Sequence, residues 1–164
     1  MKFIKSLIPY VVIIIVVVLI RSFIVTPVAV DGDSMNPNLV DGQILFLKKY
    51  DKSIERFDVV VLNYGDDRLV KRVIGLPGEY VEYKESKLYI NDIEINEPMI
   101  EEETIDFKLE YIGYEAIPDN YYFVVGDNRD NSKDSRIIGL VSKDDIIGTT
   151  SFSIFPFNRF GFIK

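Results

Sequence analysis

The chain has 164 residues, and its 19 basic and 26 acidic side chains give a formal net charge of -7 at pH 7. Because it contains neither His nor Cys, nucleophiles activated by imidazole, His-ligated metals, disulfides and thiolate chemistry are all excluded. The acidic balance speaks against a nucleic-acid partner, which would need a basic face to neutralise phosphates.

The first element is an apolar N-terminal segment. Residues 6–20 carry no charge, and residues 11–20 are ten consecutive aliphatic side chains. With the apolar residues on either side, the segment reaches the roughly 20 residues that a bilayer-spanning helix needs, while Arg21 can snorkel at an interface. The segment therefore predicts a single transmembrane anchor.

The residues on either side of this segment indicate whether it is cleaved and how it is oriented in the membrane. A cleavable signal peptide is the alternative to an anchor, but residues 27–30 lack the small-x-small pattern of a cleavage site. Lys2 and Lys5 direct the N-terminus toward the cytoplasm, although Arg21 weakens this bias. We expect a cytoplasmic tip and transmembrane anchor at residues 1–25 and an extracytoplasmic domain at residues 26–164.

A serine lies in a tight turn soon after the apolar segment. Ser34 follows Gly32 by two residues, and such a turn can expose the hydroxyl while the serine's own backbone N–H faces the same side. That N–H would be one donor of an oxyanion hole. An ordinary Asx turn explains the same residues, so this pattern alone does not identify a nucleophile.

Short strand-like runs separated by turns occupy most of the remaining chain. Turn signals such as Pro77-Gly78 and Asn91-Asp92 recur at short intervals, and helical periodicity is scarce. We therefore predict a mainly β fold, an antiparallel β-sandwich or barrel-like core. Its predicted strands are residues 43–48, 58–62, 68–75, 80–83, 87–90, 121–126 and 148–155.

The predicted strand at residues 68–75 contains Lys71 and Arg72 among aliphatic residues. Without His, the base for a serine nucleophile must be a lysine or a carboxylate. Desolvation disfavours the ammonium form, so the pKa of a buried lysine falls from about 10.4 toward neutrality. A guanidinium does not act as a base, which favours Lys71 over Arg72, whereas Lys48 and Lys49 remain competitors on composition.

An acidic insert at about residues 92–118 interrupts the strand pattern. It contains Glu101, Glu102 and Glu103 and few β signals, so we expect an excursion from the sheet. A calcium site is the alternative. The regular spacing of an EF-hand loop is missing, which favours a solvated acidic face.

The densest polar cluster, residues 127–136, directly follows the predicted strand at residues 121–126. It combines three aspartates, two asparagines and two arginines. Guanidinium groups invite bidentate carboxylates and Asx side chains bond nearby backbone, so such a loop can be locked by its own pairing. A locked loop is a good platform for a site, and the alternative is a hydrophilic turn.

Four segments of the chain, in order, resemble the sequence boxes of the type I signal peptidases. They are residues 33–37 (DSMNP), 57–61 (FDVVV), 71–79 (KRVIGLPGE) and 126–136 (GDNRDNSKDSR). Four long motifs in the family's order are far more specific than one short motif. The resemblance covers the anchor and nearly the whole exported domain, and the small size and single anchor resemble the Gram-positive bacterial branch.

The resemblance implies a membrane-anchored serine endopeptidase that removes N-terminal signal peptides from exported preproteins, with residues 26–164 as its catalytic β domain. Ser34 matches the nucleophile and Lys71 the general base of a Ser/Lys dyad, which needs no cofactor and no metal. Some family members carry a serine or threonine donor where this chain has Gly32. The Ser34 backbone N–H would then carry more of the oxyanion's charge.

Other residues match supporting positions of the family. Ser132 matches the serine whose hydroxyl orients the lysine, and Met35 matches the residue that packs beneath the nucleophile. The ion-paired residues that hold the loop against the site match Asp127, Asp134 and Arg136.

The family binds its substrate as an added β-strand beside the segments that lead into the serine and the lysine. Backbone pairing gives affinity without demanding a sequence, and shallow apolar pockets select small residues one and three positions before the cut. The implied partners are signal peptides of exported preproteins, the lipid bilayer and the protein export machinery nearby. The matching residues here are Val28, Ala29, Val30, Asp31 and Gly32, and Arg68, Leu69 and Val70.

Two alternatives remain open. A self-cleaving regulator or pilus-processing protease shares the Ser/Lys dyad, but a DNA-binding segment or a different motif pattern is expected there. An inactive membrane-tethered binding module would keep the fold without cutting its partner, and the presence of both Ser34 and Lys71 argues against it.

Overall fold

In the computed structural model of the chain, the described residues are 7–15, 17, 25–49, 53–100 and 102–163. Residues 7–15 and 17 are helical and exposed. Within the described ranges, no helix is both long enough and apolar enough to cross a membrane. Residues 1–6, 16 and 18–24 of the predicted anchor lie outside the described residues.

The larger of two sheets among the described residues has eight antiparallel strands. Its central path is β1-β2-β11-β3-β4-β9-β10, and β12 pairs with β11 at its side. The strands are β1 (Val25–Ala29), β2 (Ile44–Lys48), β3 (Val59–Tyr64), β4 (Asp67–Gly75), β9 (Tyr121–Val125), β10 (Val141–Ser142), β11 (Ile146–Phe155) and β12 (Gly161–Phe162).

The second sheet has four antiparallel strands in the order β7-β6-β5-β8. They are β5 (Val81–Lys84), β6 (Lys87–Ile90), β7 (Ile93–Ile95) and β8 (Phe107–Lys108). The helical elements of the described domain are short: an α-helix at Ser135–Ile138 and 3-10 helices at Leu109–Ile112, Lys143–Asp145 and Phe157–Arg159. The prediction of a mainly β, antiparallel fold is confirmed.

The acidic insert differs from its sequence prediction. It lies outside the larger sheet, as an excursion would, but it supplies β7 and β8 to the second sheet. Phe107, Leu109 and Ile117 within it are buried in the core. The insert therefore completes the second sheet with two strands. Its few apolar side chains pack in the core that this sheet covers.

A shared apolar cluster joins the two sheets. It contains Ile74 of β4 and Phe123 of β9 from the larger sheet, packed with Tyr83 of β5 and Leu88 of β6 from the smaller one. Burying these side chains fixes one sheet on the other. In β4, six consecutive residues from Val70 to Gly75 are buried, so both faces of the strand are covered and its polar side chains lie in the interior.

Gly75, at the end of β4, lies where the two sheets meet. A Cβ at this position would lie 2.5 Å from Ile117 Cδ1 and 2.6 Å from Val81 Cγ2. We expect Gly75→Ala to lower the free energy of unfolding by about 1–3 kcal/mol through overpacking. Urea unfolding measures this, with Glu103→Ala at an exposed position as the control. Equal midpoints for the two variants would contradict the close approach of the sheets.

Candidate active site

Ser34 lies in a turn that is held by the packing of a neighbouring side chain and by backbone hydrogen bonds. The adjacent Met35 is fully buried and packs in the cluster formed with Val30 and Leu39, while its carbonyl accepts the Leu39 N–H at 2.8 Å. Gly32 has a φ of +82°, a conformation that favours glycine, and its N–H donates to Asp41 Oδ1 at 2.8 Å. The turn is thus anchored by an apolar side chain and by backbone hydrogen bonds.

Lys71 reaches this turn from the interior of β4. The residue is only 1% exposed, and its Nζ donates to Ser34 Oγ at 2.6 Å. The competing Lys48 and Lys49 are exposed. The structure therefore brings together the serine and the lysine that the sequence singles out, although they lie 37 positions apart.

Burial lowers the pKa of Lys71 from its ordinary 10.5 to about 8. The negative charges of Asp134 and Asp127 oppose this effect and raise the pKa, whereas the positive charge of Arg136 lowers it further. Desolvation is the largest of these effects, because the ammonium form loses its hydration inside the protein. Near pH 8, about half of the amine is therefore neutral and able to accept a proton.

A buried ion pair lies beside the dyad. Arg72 Nε and Nη2 donate to Asp127 Oδ1 and Oδ2 at 2.8 and 2.6 Å, a bidentate pair whose side chains are 2% and 0% exposed. Asn38 Nδ2 also donates to Asp127 Oδ2, at 2.9 Å. The remaining guanidinium nitrogen of Arg72 donates to the Phe57 carbonyl at 2.9 Å. Both charges are thus hydrogen-bonded from several sides.

A second ion pair closes the loop at residues 127–136. Arg136 Nη2 and Nε donate to Asp134 Oδ2 and Oδ1, each at 2.9 Å, and the Gly126 N–H donates to Asp134 Oδ2 at 3.0 Å. Burial acts to raise the pKa of Asp134, but Arg136, the Gly126 N–H and the Ser132 hydroxyl outweigh it and hold that pKa below its ordinary value. Asp134 therefore stays ionised and pairs within its own loop.

Ser132 does not make the hydrogen bond to Lys71 that the resemblance implies. Its Oγ is buried and makes no hydrogen bond of good geometry among the described residues, although the hydroxyl lies near enough to the Asp134 carboxylate to lower its pKa. The hydroxyl instead packs against Gly126, where a Cβ would come within 2.1 Å of Ser132 Oγ. The missing Cβ of this glycine leaves the space that the hydroxyl occupies.

The sequence does not predict several contacts that hold the loop. Arg129 Nη2 pairs with Glu97 Oε1 at 2.6 Å, and Arg129 Nη1 donates to Thr104 Oγ1 at 2.9 Å, which ties the loop to the acidic insert. Asn128 contacts the backbone on both sides of the Ser34 Cα. The density of Asx and Arg residues is the only sequence signal for these contacts, and it does not name their partners.

A groove lies between β1 and the β3–β4 hairpin, and its lining does not include Ser34 or Lys71. Its volume is about 630 Å³. In the larger sheet β1 is an edge strand, and the β9 pairing of β4 begins only at Arg72, which leaves strand edges on both sides of the groove. Of the predicted substrate-binding residues, Leu69, Val70 and Gly32 do not line it. Its lining is Pro27, Val28, Ala29, Val30, Asp31, Asp66, Asp67 and Arg68.

The acidic insert does not assemble a metal cluster in the part of the chain that the structure describes. No group of three or more His, Cys, Asp or Glu side chains is placed there to hold an ion. Glu102 Oε2 instead accepts the Arg129 N–H at 3.1 Å. One of the three successive glutamates is therefore engaged with the loop.

Asp127 offers a direct test of the buried ion pair. We expect Asp127→Ala to lower the free energy of unfolding by about 3–5 kcal/mol, because Arg72 is left charged and unpaired in the interior. Asp130→Ala, in the same loop but exposed, is the matched control, and urea unfolding at pH 7 compares the two. If both variants unfolded at the wild-type midpoint, the loop would be a solvated turn.

Comparisons with known proteins identify the family of the chain. The family profile described as "Signal peptidase, peptidase S26" matches residues 2–155. Signal peptidase I S of Bacillus subtilis is 43% identical over 157 residues, which cover 89% of this chain and 85% of the relative. Signal peptidase IB of Staphylococcus aureus is 36% identical over 164 residues, covering 89% and 86%.

A solved structure extends the similarity to the fold. The crystal structure of a signal peptidase I from Enterococcus faecalis matches with a TM-score of 0.55 and 37% identity, covering 59% of this chain and 96% of the other. Sequence and fold thus point to one family. The chain belongs to the signal peptidase family, peptidase S26.

Proposed function

We propose that this chain removes N-terminal signal peptides from exported preproteins, with Ser34 as the nucleophile and Lys71 as the general base. The observation that carries the proposal is the 2.6 Å hydrogen bond between Lys71 Nζ and Ser34 Oγ. It lies within the residues that match the signal peptidase family, in a chain that has no His to serve as a base. A lysine pKa of about 8 suits proton transfer at mildly alkaline pH.

In the acylation half of the reaction, Ser34 Oγ attacks the carbonyl carbon of the scissile peptide bond while its proton passes to the neutral Lys71 Nζ. The carbonyl oxygen takes the negative charge in the tetrahedral intermediate. When the carbon–nitrogen bond breaks, the Lys71 ammonium gives its proton to the leaving amine. The mature protein is released, and the signal peptide remains as an ester on Ser34.

Deacylation repeats the proton transfers with water. Lys71, neutral again, accepts a proton from a water molecule as its oxygen attacks the ester carbon. The second tetrahedral intermediate collapses when Lys71 returns that proton to Ser34 Oγ. The signal peptide leaves with a free carboxylate, and no cofactor takes part.

The backbone N–H of Ser34 is the proposed oxyanion donor. Among the described residues this N–H has no hydrogen-bond acceptor, which leaves it available for a substrate oxygen. Gly32 brings no side-chain donor, and its own N–H is bonded to Asp41. We infer that water supplies the second donor at the Gly32 position, where a Cβ would meet nothing within 4 Å.

We assign supporting roles to the residues around the dyad. Asp127 pairs with Arg72 and Asp134 pairs with Arg136. These pairs would prevent either carboxylate from forming an ion pair with Lys71, and they would hold the loop in place. Met35 would fix the turn from below. Ser132 is retained as the proposed orienting hydroxyl, because its Oγ is buried and makes no hydrogen bond of good geometry among the described residues.

The groove between β1 and the β3–β4 hairpin is the proposed substrate site. An extended signal peptide would add a strand along Val28 to Gly32 and along Arg68 to Val70, where the sheet leaves strand edges unpaired within the described residues. Main-chain pairing explains how one enzyme accepts many preproteins. The cavity at this position supports the proposal.

We further propose that residues 1–25 form a single-pass anchor with a cytoplasmic N-terminus, and that residues 26–164 are the extracytoplasmic catalytic domain. The uncharged stretch at residues 6–20 supports the anchor. The bilayer and the export machinery would then be its neighbours. Burial on both faces of β4 supports a sandwich or barrel-like packing of the larger sheet.

An exposed row of phenylalanines supports contact between this domain and lipid. Phe46 pairs with Phe152, which pairs with Phe162 across β2, β11 and β12. Phe46 also lies opposite Pro27 of β1. This strand begins at Val25, where the predicted anchor ends. Phe160 and Phe162 are 60% and 83% exposed, an apolar surface suited to the interface of a bilayer.

The dyad predicts a pH profile. Because Lys71 must be neutral to act as a base, activity should rise with pH, with an acidic limb centred near pH 8 rather than near 10.5. Lys71→Arg should be inactive although the charge is kept, as should Ser34→Ala, whereas Lys48→Ala and Lys49→Ala keep most activity. Cleavage of a labelled preprotein measures all four variants. Turnover by Lys71→Arg would sink the assignment.

The phenylalanine row predicts a difference between substrates. In lipid vesicles, Phe160→Ser combined with Phe162→Ser should slow cleavage of a membrane-bound preprotein at least about tenfold, because a factor of ten is about 1.4 kcal/mol and burial of even one ring is worth about 1.5–3 kcal/mol. Cleavage of a short soluble peptide should not change. Ile105→Ser, which removes an equally exposed apolar side chain from the insert, is the control. If the double variant cleaved both substrates at the wild-type rates, the result would argue against lipid contact.

A further inference from the structure

Asn128 holds both peptide groups that flank Ser34. Its side-chain Nδ2 donates to the Asp33 carbonyl oxygen at 3.1 Å. Its backbone N–H donates to the Ser34 carbonyl oxygen, also at 3.1 Å. One carbonyl belongs to the peptide before the Ser34 Cα and the other to the peptide after it, so a single residue fixes the backbone on both sides of the nucleophile.

The first of these bonds controls the direction of the Ser34 N–H. A peptide group is planar and trans, so its C=O and N–H point in opposite directions. The Asp33 carbonyl and the Ser34 N–H belong to the same group. The Asn36 N–H also donates to the Asp33 oxygen, at 3.0 Å. Two donors on the carbonyl side therefore aim the N–H on the other side.

The carboxamide of Asn128 is itself oriented by the loop. The Asn131 N–H donates to Asn128 Oδ1 at 3.0 Å, which leaves Nδ2 to face Asp33. The loop cannot move away from Ser34 without losing close packing, because a Cβ on Gly126 would lie 2.4 Å from the Ser34 oxygen. An aspartate at position 128 could still accept the Asn131 N–H, but it would face the Asp33 carbonyl with an acceptor and could not donate to it.

We propose that Asn128 is a positioning residue that aims the Ser34 N–H at the oxygen of the scissile carbonyl and holds the Ser34 hydroxyl toward Lys71. This inference rests on the proposed function. Asn128 has no hydrogen bond to Ser34 Oγ or to Lys71 Nζ among the described residues. It acts through the two peptide groups of Ser34, so its effect belongs to the transition state rather than to binding of the extended substrate.

The test compares kinetics with two ligands, using the full chain in detergent. A peptide aldehyde accepts Ser34 Oγ at its carbonyl carbon and places an oxyanion in the proposed hole, whereas a peptide with a reduced, non-cleavable bond reports groove binding alone. For Asn128→Asp and Asn128→Ala we expect kcat to fall about tenfold or more with little change in KM. Affinity for the aldehyde should fall in parallel, and affinity for the reduced peptide should stay at the wild-type value.

Controls separate this inference from the proposed function. Asp130→Asn, at an exposed neighbouring position of the loop, should behave as wild type. A wild-type chain that cuts no preprotein would overturn the proposed function itself. If the wild type is active, unchanged kcat and aldehyde affinity in either folded variant would overturn the role of Asn128. An equal loss of affinity for both ligands, or a melting temperature below the assay temperature in both variants, would instead assign Asn128 to groove shape or folding and also overturn it.

Discussion

The site depends on one buried amine that has no carboxylate partner of its own. Among the described residues Lys71 forms no ion pair, and its Nζ is bonded to Ser34 Oγ. The two acidic groups that raise its pKa, Asp127 and Asp134, are each paired with an arginine. Both carboxylates already raise the pKa of the amine, and loss of either arginine would remove an opposing positive charge and raise that pKa further. The ion pairs therefore protect the basic form of the lysine.

This arrangement costs stability, and the sign of the cost follows from the pKa. The pKa of Lys71 is about 8 in the folded chain and about 10.4 in an unfolded one. Between these values the unfolded state binds more protons, so folding becomes more favourable as pH rises through that window. Below pH 8 the folded chain carries a desolvated ammonium at a cost of about 3 kcal/mol. The buried core of β4 and the arginine pairs must offset this cost.

Much of the fold is predictable from sequence, because long strands show their pattern over several residues. All seven predicted strands contain observed strand, including β4 with Lys71 and β11. The short strands β7, β8, β10 and β12 escape prediction, because two or three residues show too little alternation. β1 escapes because it contains Pro27 and continues the apolar N-terminal segment. Local pattern thus predicts the strands that are long enough to carry it.

The residues of the site likewise include some that the sequence predicts and others that it does not. Ser34 and Lys71 are singled out by residue type and by motif order, and the structure brings them within hydrogen-bonding distance. The sequence does not predict which residues bind the loop. Arg72 and Asp127 are 55 positions apart, and Asn38 and Asp127 are 89 apart. No periodicity links such residues, since they meet only through the order of strands in the sheet. The position of the Ser132 hydroxyl likewise depends on the space beside Gly126, which only the packed structure reveals.

The most direct measurement is the titration of the Lys71 amine itself. In a chain labelled with ¹³C at lysine Cε, the NMR shift of each Cε follows the ionisation of its own amine, and Lys71→Arg identifies the signal. The account predicts a midpoint near pH 8 for Lys71, well separated from exposed lysines near 10.4. A Lys71 signal that titrated together with the exposed lysines would contradict it, because the proposed base would then be protonated wherever the enzyme works.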